Sequence, residues 1–106
     1  MTNAASRHEV LVGLHVTDER TYAAYRARMG PILRGKGGFF RRDYRVSESL
    51  AEGDPAVNRV FVLSFPSKAV MDEFFGDPDY QAARSEFFDP SVAHADIIAA
   101  YEIAAD

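Results

Sequence analysis

Three histidines are the side chains best suited to acid–base or metal chemistry in this 106-residue chain. Their positions in the sequence decide which of them can act together. His8 and His15 stand seven residues apart, roughly 23 Å along an extended strand, so one metal ion cannot bind both. His15 ends the first predicted strand, while His94 begins the last one, with Asp96 two residues on. If these strands are antiparallel neighbours, both histidines and the carboxylate form an acid–base site or a weak metal site. The alternative is that both histidines lie at a solvated end of the sheet.

The strand predicted over residues 39–46 offers a cationic candidate. Arg42 and Tyr44 occupy alternate positions and therefore share one face of that strand. If that face is enclosed, Arg42 is a fixed cation that can orient a carboxylate or steady a developing oxyanion. Arg41 and Arg45 fall on the opposite face, and this pattern is equally typical of a charged edge strand that resists aggregation.

Two tyrosines lie on the apolar stripe of a helix predicted over about residues 18–35. Tyr22 and Tyr25 are three residues apart, so their phenol groups point to the same side of that helix. They can place hydroxyl groups in a cleft and bind a ligand there. The alternative is that they are core residues whose hydroxyls only reach the rim.

Other polar side chains have structural interpretations. Arg84 is predicted to pair with Asp79 or Glu86, or to reach Tyr80, in a structural role. Ser67 is predicted to cap a helix, because it lacks the strand–turn–helix glycine setting of an activated serine. We therefore expect no nucleophile, no metal centre and no cofactor.

Strand and helix signals alternate in the order βαββαβ. The strands are predicted at residues 10–16, 39–46, 59–65 and 93–104. The helices are predicted at residues 18–35, 67–76 and 77–89, with N-caps at Asp18, Ser67 and Asp77. The Gly30-Pro31 pair is expected to kink or break the first helix. This order predicts a ferredoxin-like α+β fold, in which a four-stranded antiparallel sheet carries its helices on one face.

The other face of such a sheet has no helix to cover it. The first, third and fourth predicted strands carry apolar residues on both faces, so the uncovered side needs a partner surface. We therefore predict a homodimer joined through its sheets. Residues 1–106 are predicted to form one domain, with 1–7 as a flexible N-terminal tail.

Composition excludes several classes of protein. The 16 acidic residues outnumber the 12 basic ones, and the arginines form no stripe that could follow phosphates, so nucleic acid is an unfavourable partner. Without cysteine the chain cannot form disulfides, zinc-thiolate sites or thiol nucleophiles. No apolar run approaches the roughly 20 residues that span a bilayer, and the expectation is a cytoplasmic protein.

Four short motifs, in order along the chain, carry a resemblance to a known family. They are Tyr22-x-x-Tyr25 with Pro31, Gly37-Gly38 before the strand with Arg42, Phe65-Pro66-Ser67, and Asp77-Pro78-Asp79-Tyr80-Gln81 followed by Arg84. Together they resemble the dimeric α/β-barrel superfamily and are most similar to its uncharacterised family called domain of unknown function 1330. The resemblance implies the fold, a dimer, and a cleft that relatives use for small, often aromatic or lactone-like molecules.

The wider superfamily includes cofactor-independent monooxygenases, haem-degrading enzymes and isomerases, so the resemblance implies no single reaction. The chain has no Trp, and its only asparagines are Asn3 and Asn58, which departs from the monooxygenase and haem-degrading sites. The leading hypothesis is a homodimer that binds a small organic acid or aromatic molecule. One alternative is a cofactor-independent isomerase or monooxygenase that uses His15 or His94 as base with Arg42. Another is a structural or regulatory dimer without a ligand.

Overall fold

The computed structural model describes residues 6–54 and 56–104 and confirms the predicted ferredoxin-like α+β order. The strands are β1 (Ser6–Val16), β2 (Phe39–Arg45), β3 (Arg59–Phe65) and β4 (Val92–Ala104). The helices are α1 (Glu19–Gly35), α2 (Lys68–Gly76) and α3 (Pro78–Ala83), and a π-helical turn (Arg84–Phe88) continues α3. The second helical region is therefore in pieces, as the Gly76 and Asp77-Pro78 signals predict.

The four strands form one antiparallel sheet in the order β2-β3-β1-β4. Alternation along β1 divides the sheet into two faces. Val10, Val12 and Leu14 belong to the hydrophobic core that the helices cover, and we call their side the inner face. Glu9 and Leu11 alternate with them and point away from the helices, to what we call the outer face.

Helix α1 runs through Pro31 as one 17-residue element, so of the two predicted outcomes at Gly30-Pro31, a kink or a break, the break does not occur. Proline in a helix interior removes one backbone hydrogen bond and disfavours continuation. Met29 and Leu33, on either side of it, are both buried against the core. Their packing offsets the local cost, because tertiary burial supplies most of the stability of a helix in a protein.

The predicted helix N-caps are confirmed. The side chain of Asp18 accepts a hydrogen bond from the backbone of Thr21, and that of Ser67 accepts one from Val70. Asp77 caps α3, whose first residue is Pro78. Each cap satisfies backbone donors that a helix start otherwise leaves unpaired. These local signals therefore fix where each helix begins.

Two boundaries differ from the predictions. Strand β1 begins at Ser6, so Ser6 and Arg7 of the predicted tail belong to the sheet, and residues 1–5 lie outside the described residues. A bulge between Phe40 and Arg42 shifts the register of β2. Arg41 consequently reaches the outer face, where it pairs with a β1 carboxylate, and the prediction that it shares a face with Arg45 is wrong. Among the described residues no helix is both long and apolar enough to cross a membrane.

Candidate functional site

A cavity of about 210 Å³ lies between the inner face of the sheet and the helices. Most of its wall is apolar and includes Val12, Leu14, Phe40, Phe61, Leu63 and Phe88. Five lining residues carry polar groups, namely Tyr25, Arg26, Tyr80, Arg84 and Asp96. An apolar cavity with a few convergent polar groups is the usual form of a small-molecule site.

A larger depression of about 620 Å³ lies between α1 and the α3 segment, on the solvent side of the helices. Its wall consists mainly of small or apolar side chains, and its charged lining residues are Arg28 and Asp79. This groove is open to solvent and encloses no buried hydrogen-bonding group. The smaller cavity is therefore the better candidate site.

Tyr25 and Tyr80 form a buried pair of hydroxyl groups in the cavity wall. Their oxygens lie 3.0 Å apart, and the two side chains belong to residues that are only 5% and 2% exposed. Burial raises the pKa of Tyr25 well above its usual range, and the nearby Tyr80 hydroxyl adds to the rise. The Tyr25 hydroxyl therefore stays protonated. One hydroxyl donates to the other, and within the described residues the remaining hydroxyl hydrogen has no acceptor, so it is available to a ligand.

The guanidinium group of Arg26 is held by other parts of the protein. Its Nε donates to the Tyr22 hydroxyl at 2.8 Å, and its two terminal nitrogens donate to the Asp43 carboxylate at 2.9 Å each. It also stacks over the Phe40 ring, 4.0 Å from the centroid. The hydrogen bond from Arg26 lowers the pKa of Asp43, so the pair stays ionised. Arg26 thus closes one wall of the cavity with its charge already balanced.

Arg84 is a less constrained cation at the cavity. Its Nε lies 3.8 Å from a carboxylate oxygen of Asp89, and 41% of its side chain is exposed. The predicted pairing with Asp79 or Glu86 is wrong, because the π-helical turn directs Arg84 toward Asp89 and the ring of Phe88. Within the described residues its guanidinium donates no hydrogen bond, so its donors can turn to a ligand.

The predicted ligand-binding residues separate into two groups. Tyr25 lines the cavity, whereas Tyr22 is buried behind it and binds Arg26. Arg42 and Tyr44 share a face, as their alternation predicts, but it is the exposed outer face opposite Val62 and Val60. Neither of them lines the cavity. Their role in binding stays a prediction.

His15 and His94 are directly opposed partners on β1 and β4, which places them next to each other as the predicted topology requires. His94 is exposed and His15 is half-buried, with its Nδ1 buried and unpartnered among the described residues. Neither histidine lines the cavity. The part of the chain that the structure describes contains no cluster of three metal-ligating side chains. Their catalytic role stays a prediction.

The outer face holds a buried charge that sequence reasoning missed. Glu9 is only 2% exposed, and its carboxylate accepts a hydrogen bond from Arg41. Burial by itself raises the pKa of Glu9, but the hydrogen bonds from Arg41, Ser64 and Tyr101 and the Arg41 charge lower it by more. Arg7 adds a hydrogen bond to the Ser64 hydroxyl at 2.8 Å. A Glu inside an apolar strand is the only local signal of this cluster.

Tyr80 and Arg84 are among the cavity residues that sequence reasoning did not assign to a site. With Phe88 they recur every four residues through α3 and the π-helical turn, and all three line the cavity. That spacing was a usable signal of a shared face. The π-helical geometry that keeps Phe88 on this face could not be anticipated from it.

Comparison with known families and structures places the chain among related proteins. The family model described as Domain of unknown function (DUF1330) matches residues 10–101. A protein of unknown function from Rhodopseudomonas palustris is 19% identical, with a TM-score of 0.71 over 97% of this chain and 84% of that chain. A search of curated proteins gives no match.

Two further solved structures share the fold at 13% identity. One is a putative antibiotic biosynthesis monooxygenase from Nitrosomonas europaea, with a TM-score of 0.57 over 99% of this chain and 94% of that chain. The other is a dimeric ferredoxin-like protein of unknown function from Thermobifida fusca, with a TM-score of 0.56 over 99% of this chain and 96% of that chain. Identities this low support the shared fold and carry no statement about the reaction.

Proposed function

The chain belongs to the DUF1330 family, and on that premise we propose that it is a homodimer that binds a small, ring-containing organic molecule in the cavity between sheet and helices. The observation that carries this proposal is the Tyr25–Tyr80 hydroxyl pair in an otherwise apolar cavity. A buried donor without an acceptor costs free energy, roughly 1–3 kcal/mol, which a ligand oxygen would recover.

The size of the cavity limits the ligand to about one ring. An apolar cavity of roughly 150 Å³ accommodates benzene. The volume here, about 210 Å³, leaves room for a ring with one or two small substituents. Ring stacking against Phe61 and Phe88 would add to the burial of apolar surface. Among the described residues no histidine lines the cavity, so we propose that it binds a ligand and we assign no reaction to it.

The outer face supports the dimer. Large apolar side chains are exposed there, including Phe39 at 41%, Tyr44 at 53% and Ile98 at 51%. Several large apolar side chains exposed on one face of a sheet are typical of an interface. The structural neighbour from Thermobifida fusca is described as dimeric, and it shares this fold. A second copy, meeting the same face in an isologous contact, is therefore the proposed partner.

Ligand binding is tested with phenol by isothermal titration calorimetry. Wild-type protein should bind one phenol per chain. Ala95→Phe adds a ring at a cavity-lining position of β4 and should abolish binding, whereas Ala93→Phe on the same strand, outside the lining, should not. No heat of binding at millimolar phenol, or equal binding by Ala95→Phe, would refute a ligand cavity and favour a structural dimer domain.

The dimer is tested by sedimentation equilibrium. The expected mass is twice the 11.8 kDa of the chain at micromolar concentration. Ile98→Asp puts a charge on the outer face and should weaken association, and Leu50→Asp, at a position that is 86% exposed in the β2–β3 connection, is the matched control. A wild-type particle of single-chain mass would contradict the proposal.

A further inference from the structure

The proposed function leaves the charge of the ligand undefined. The charged side chains that line the cavity indicate what that charge is. Building on that function, we propose that the ligand is a small ring-containing monocarboxylate, with its carboxylate bound by Arg84 and a second oxygen bound by the Tyr25–Tyr80 pair.

Three charged side chains line the cavity, and only one is a cation with free donors. Arg26 uses its Nε on Tyr22 and both terminal nitrogens on Asp43, so its charge is balanced inside the protein. Arg84 has only a carboxylate of Asp89 nearby, at 3.8 Å, and donates no hydrogen bond within the described residues. A planar guanidinium with free donors binds carboxylates in a bidentate manner. A ligand carboxylate is therefore the complementary group.

A π-helical turn of the backbone sets the position of Arg84. The π-helical turn begins at Arg84, and the backbone N–H of Asp89 donates to the Arg84 carbonyl at 2.9 Å, five residues back. Such turns are rare in proteins and are found frequently at functional sites. The turn keeps Arg84 and Phe88 on the cavity side together with Tyr80, and the guanidinium lies 4.7 Å from the Phe88 ring centroid. Cation and ring wall are thus positioned as one unit.

The hydroxyl pair selects the other end of the ligand. Because one hydroxyl donates to the other, one hydrogen remains to donate to a ligand carbonyl or hydroxyl oxygen. A second anionic group on the ligand would be disfavoured, because Arg84 is the one lining cation with free donors and the Asp96 carboxylate would repel the added charge. The arrangement fits one carboxylate, one ring and one neutral oxygen, as in a hydroxybenzoate.

The test compares two probes of nearly the same size, 4-hydroxybenzoate with its charged carboxylate and 4-hydroxybenzamide with a neutral amide in its place, by calorimetry at low salt. Wild-type protein should bind the acid at least about tenfold more tightly than the amide. Arg84→Gln should remove most of that preference, because it should weaken binding of the acid far more than binding of the amide. Arg28→Gln is the matched control, because Arg28 also stacks on a ring, that of Phe87, but lies outside the cavity. This control should keep the preference.

A third variant tests the hydroxyl pair. Tyr25→Phe should reduce the preference for 4-hydroxybenzoate over 4-methylbenzoate several-fold, while binding of 4-methylbenzoate persists. If wild-type protein binds acid and amide equally and Arg84→Gln changes neither, the charge inference is overturned, although the cavity still binds a ring. If phenol and both probes fail to bind, the inference and the proposed function are both wrong.

Discussion

The two faces of the sheet are formed by the same alternating strands, but they differ in the charge of the polar groups that they bury. On the inner face, Tyr25 and Tyr80 bring neutral hydroxyls into an aromatic core. On the outer face, Glu9 and Arg41 form an ion pair among exposed apolar side chains. Burying a neutral group costs less free energy than burying a charged one. The Tyr25–Tyr80 pair can therefore stay buried without a ligand, with one hydroxyl hydrogen unpaired among the described residues. A buried charge needs a partner, and Arg41 of the same chain supplies one for Glu9.

This contrast suggests different tasks for the two faces. The inner face is covered by the helices, and in the proposed function its polar groups bind a small molecule. The outer face is open, and its polar row runs across three neighbouring strands from Ser64 through Glu9 to Tyr101. In the proposed dimer this row would lie in the contact, and a register that keeps Glu9 paired would be favoured, because a buried charge without a partner is costly.

The largest expected loss of stability comes from removing a large side chain from the hydrophobic core under the inner face. Phe74 is fully buried and contacts the rings of Phe65 and Tyr80. Phe74→Ala should lower the free energy of unfolding by about 3–5 kcal/mol, because it removes a large buried ring and leaves a cavity. Urea denaturation measures the change, with Leu50→Ala as an exposed control expected within about 0.5 kcal/mol. Similar values for both variants would contradict the assignment of the core.

Removing the Glu9 charge on the outer face should lower the free energy of unfolding by less than Phe74→Ala does. Glu9→Gln leaves the Arg41 guanidinium without its carboxylate, but Arg41 is 35% exposed and can turn toward water. We expect a loss of about 1–3 kcal/mol in the free energy of unfolding. Glu48→Gln, at an exposed position, is the matched control. A loss as large as that of Phe74→Ala would show that both faces depend equally on burial.

The same residue predicts a dependence on pH. The folded-state pKa of Glu9 lies below its ordinary value of about 4.5, because hydrogen bonds and the Arg41 charge outweigh burial. A lowered carboxyl pKa stabilises the fold above the unfolded-state pKa, and this contribution is lost as the pH falls through the folded-state value. Wild-type protein should therefore lose more stability than Glu9→Gln below about pH 4.5. Parallel denaturation curves for both at each pH would contradict the assignment.

The smallest effect is expected at the hydroxyl pair. Tyr25→Phe keeps the ring packed and removes one buried hydrogen bond to Tyr80, so the loss of stability should be about 1 kcal/mol. Thermal denaturation without ligand measures it, with Tyr44→Phe on the exposed outer face as control. A much larger loss would mean that the pair serves the fold more than the ligand.

Local sequence signals predicted the elements well and the cavity only in part. Asp18, Ser67 and Asp77 are caps whose effect depends on a few neighbouring residues, and each begins a helix as expected. Tyr25 was found because its apolar stripe marks the buried side of α1. Pro31 does not break α1, which was one of the two predicted outcomes, since its local penalty is outweighed by packing that only the folded chain provides.

What the sequence determined by itself is therefore the order of the elements, their starts and the alternation that gives the sheet two faces, because these follow from interactions over a few residues. Only the tertiary structure decided which polar groups meet. Tyr25 and Tyr80 are 55 positions apart, and Glu9 and Arg41 are 32 apart. A bulge in β2 and a π-helical turn after α3 set the final directions of Arg41 and Arg84. Such shifts of a single residue redirect side chains across whole faces, so the site depends on the packed structure.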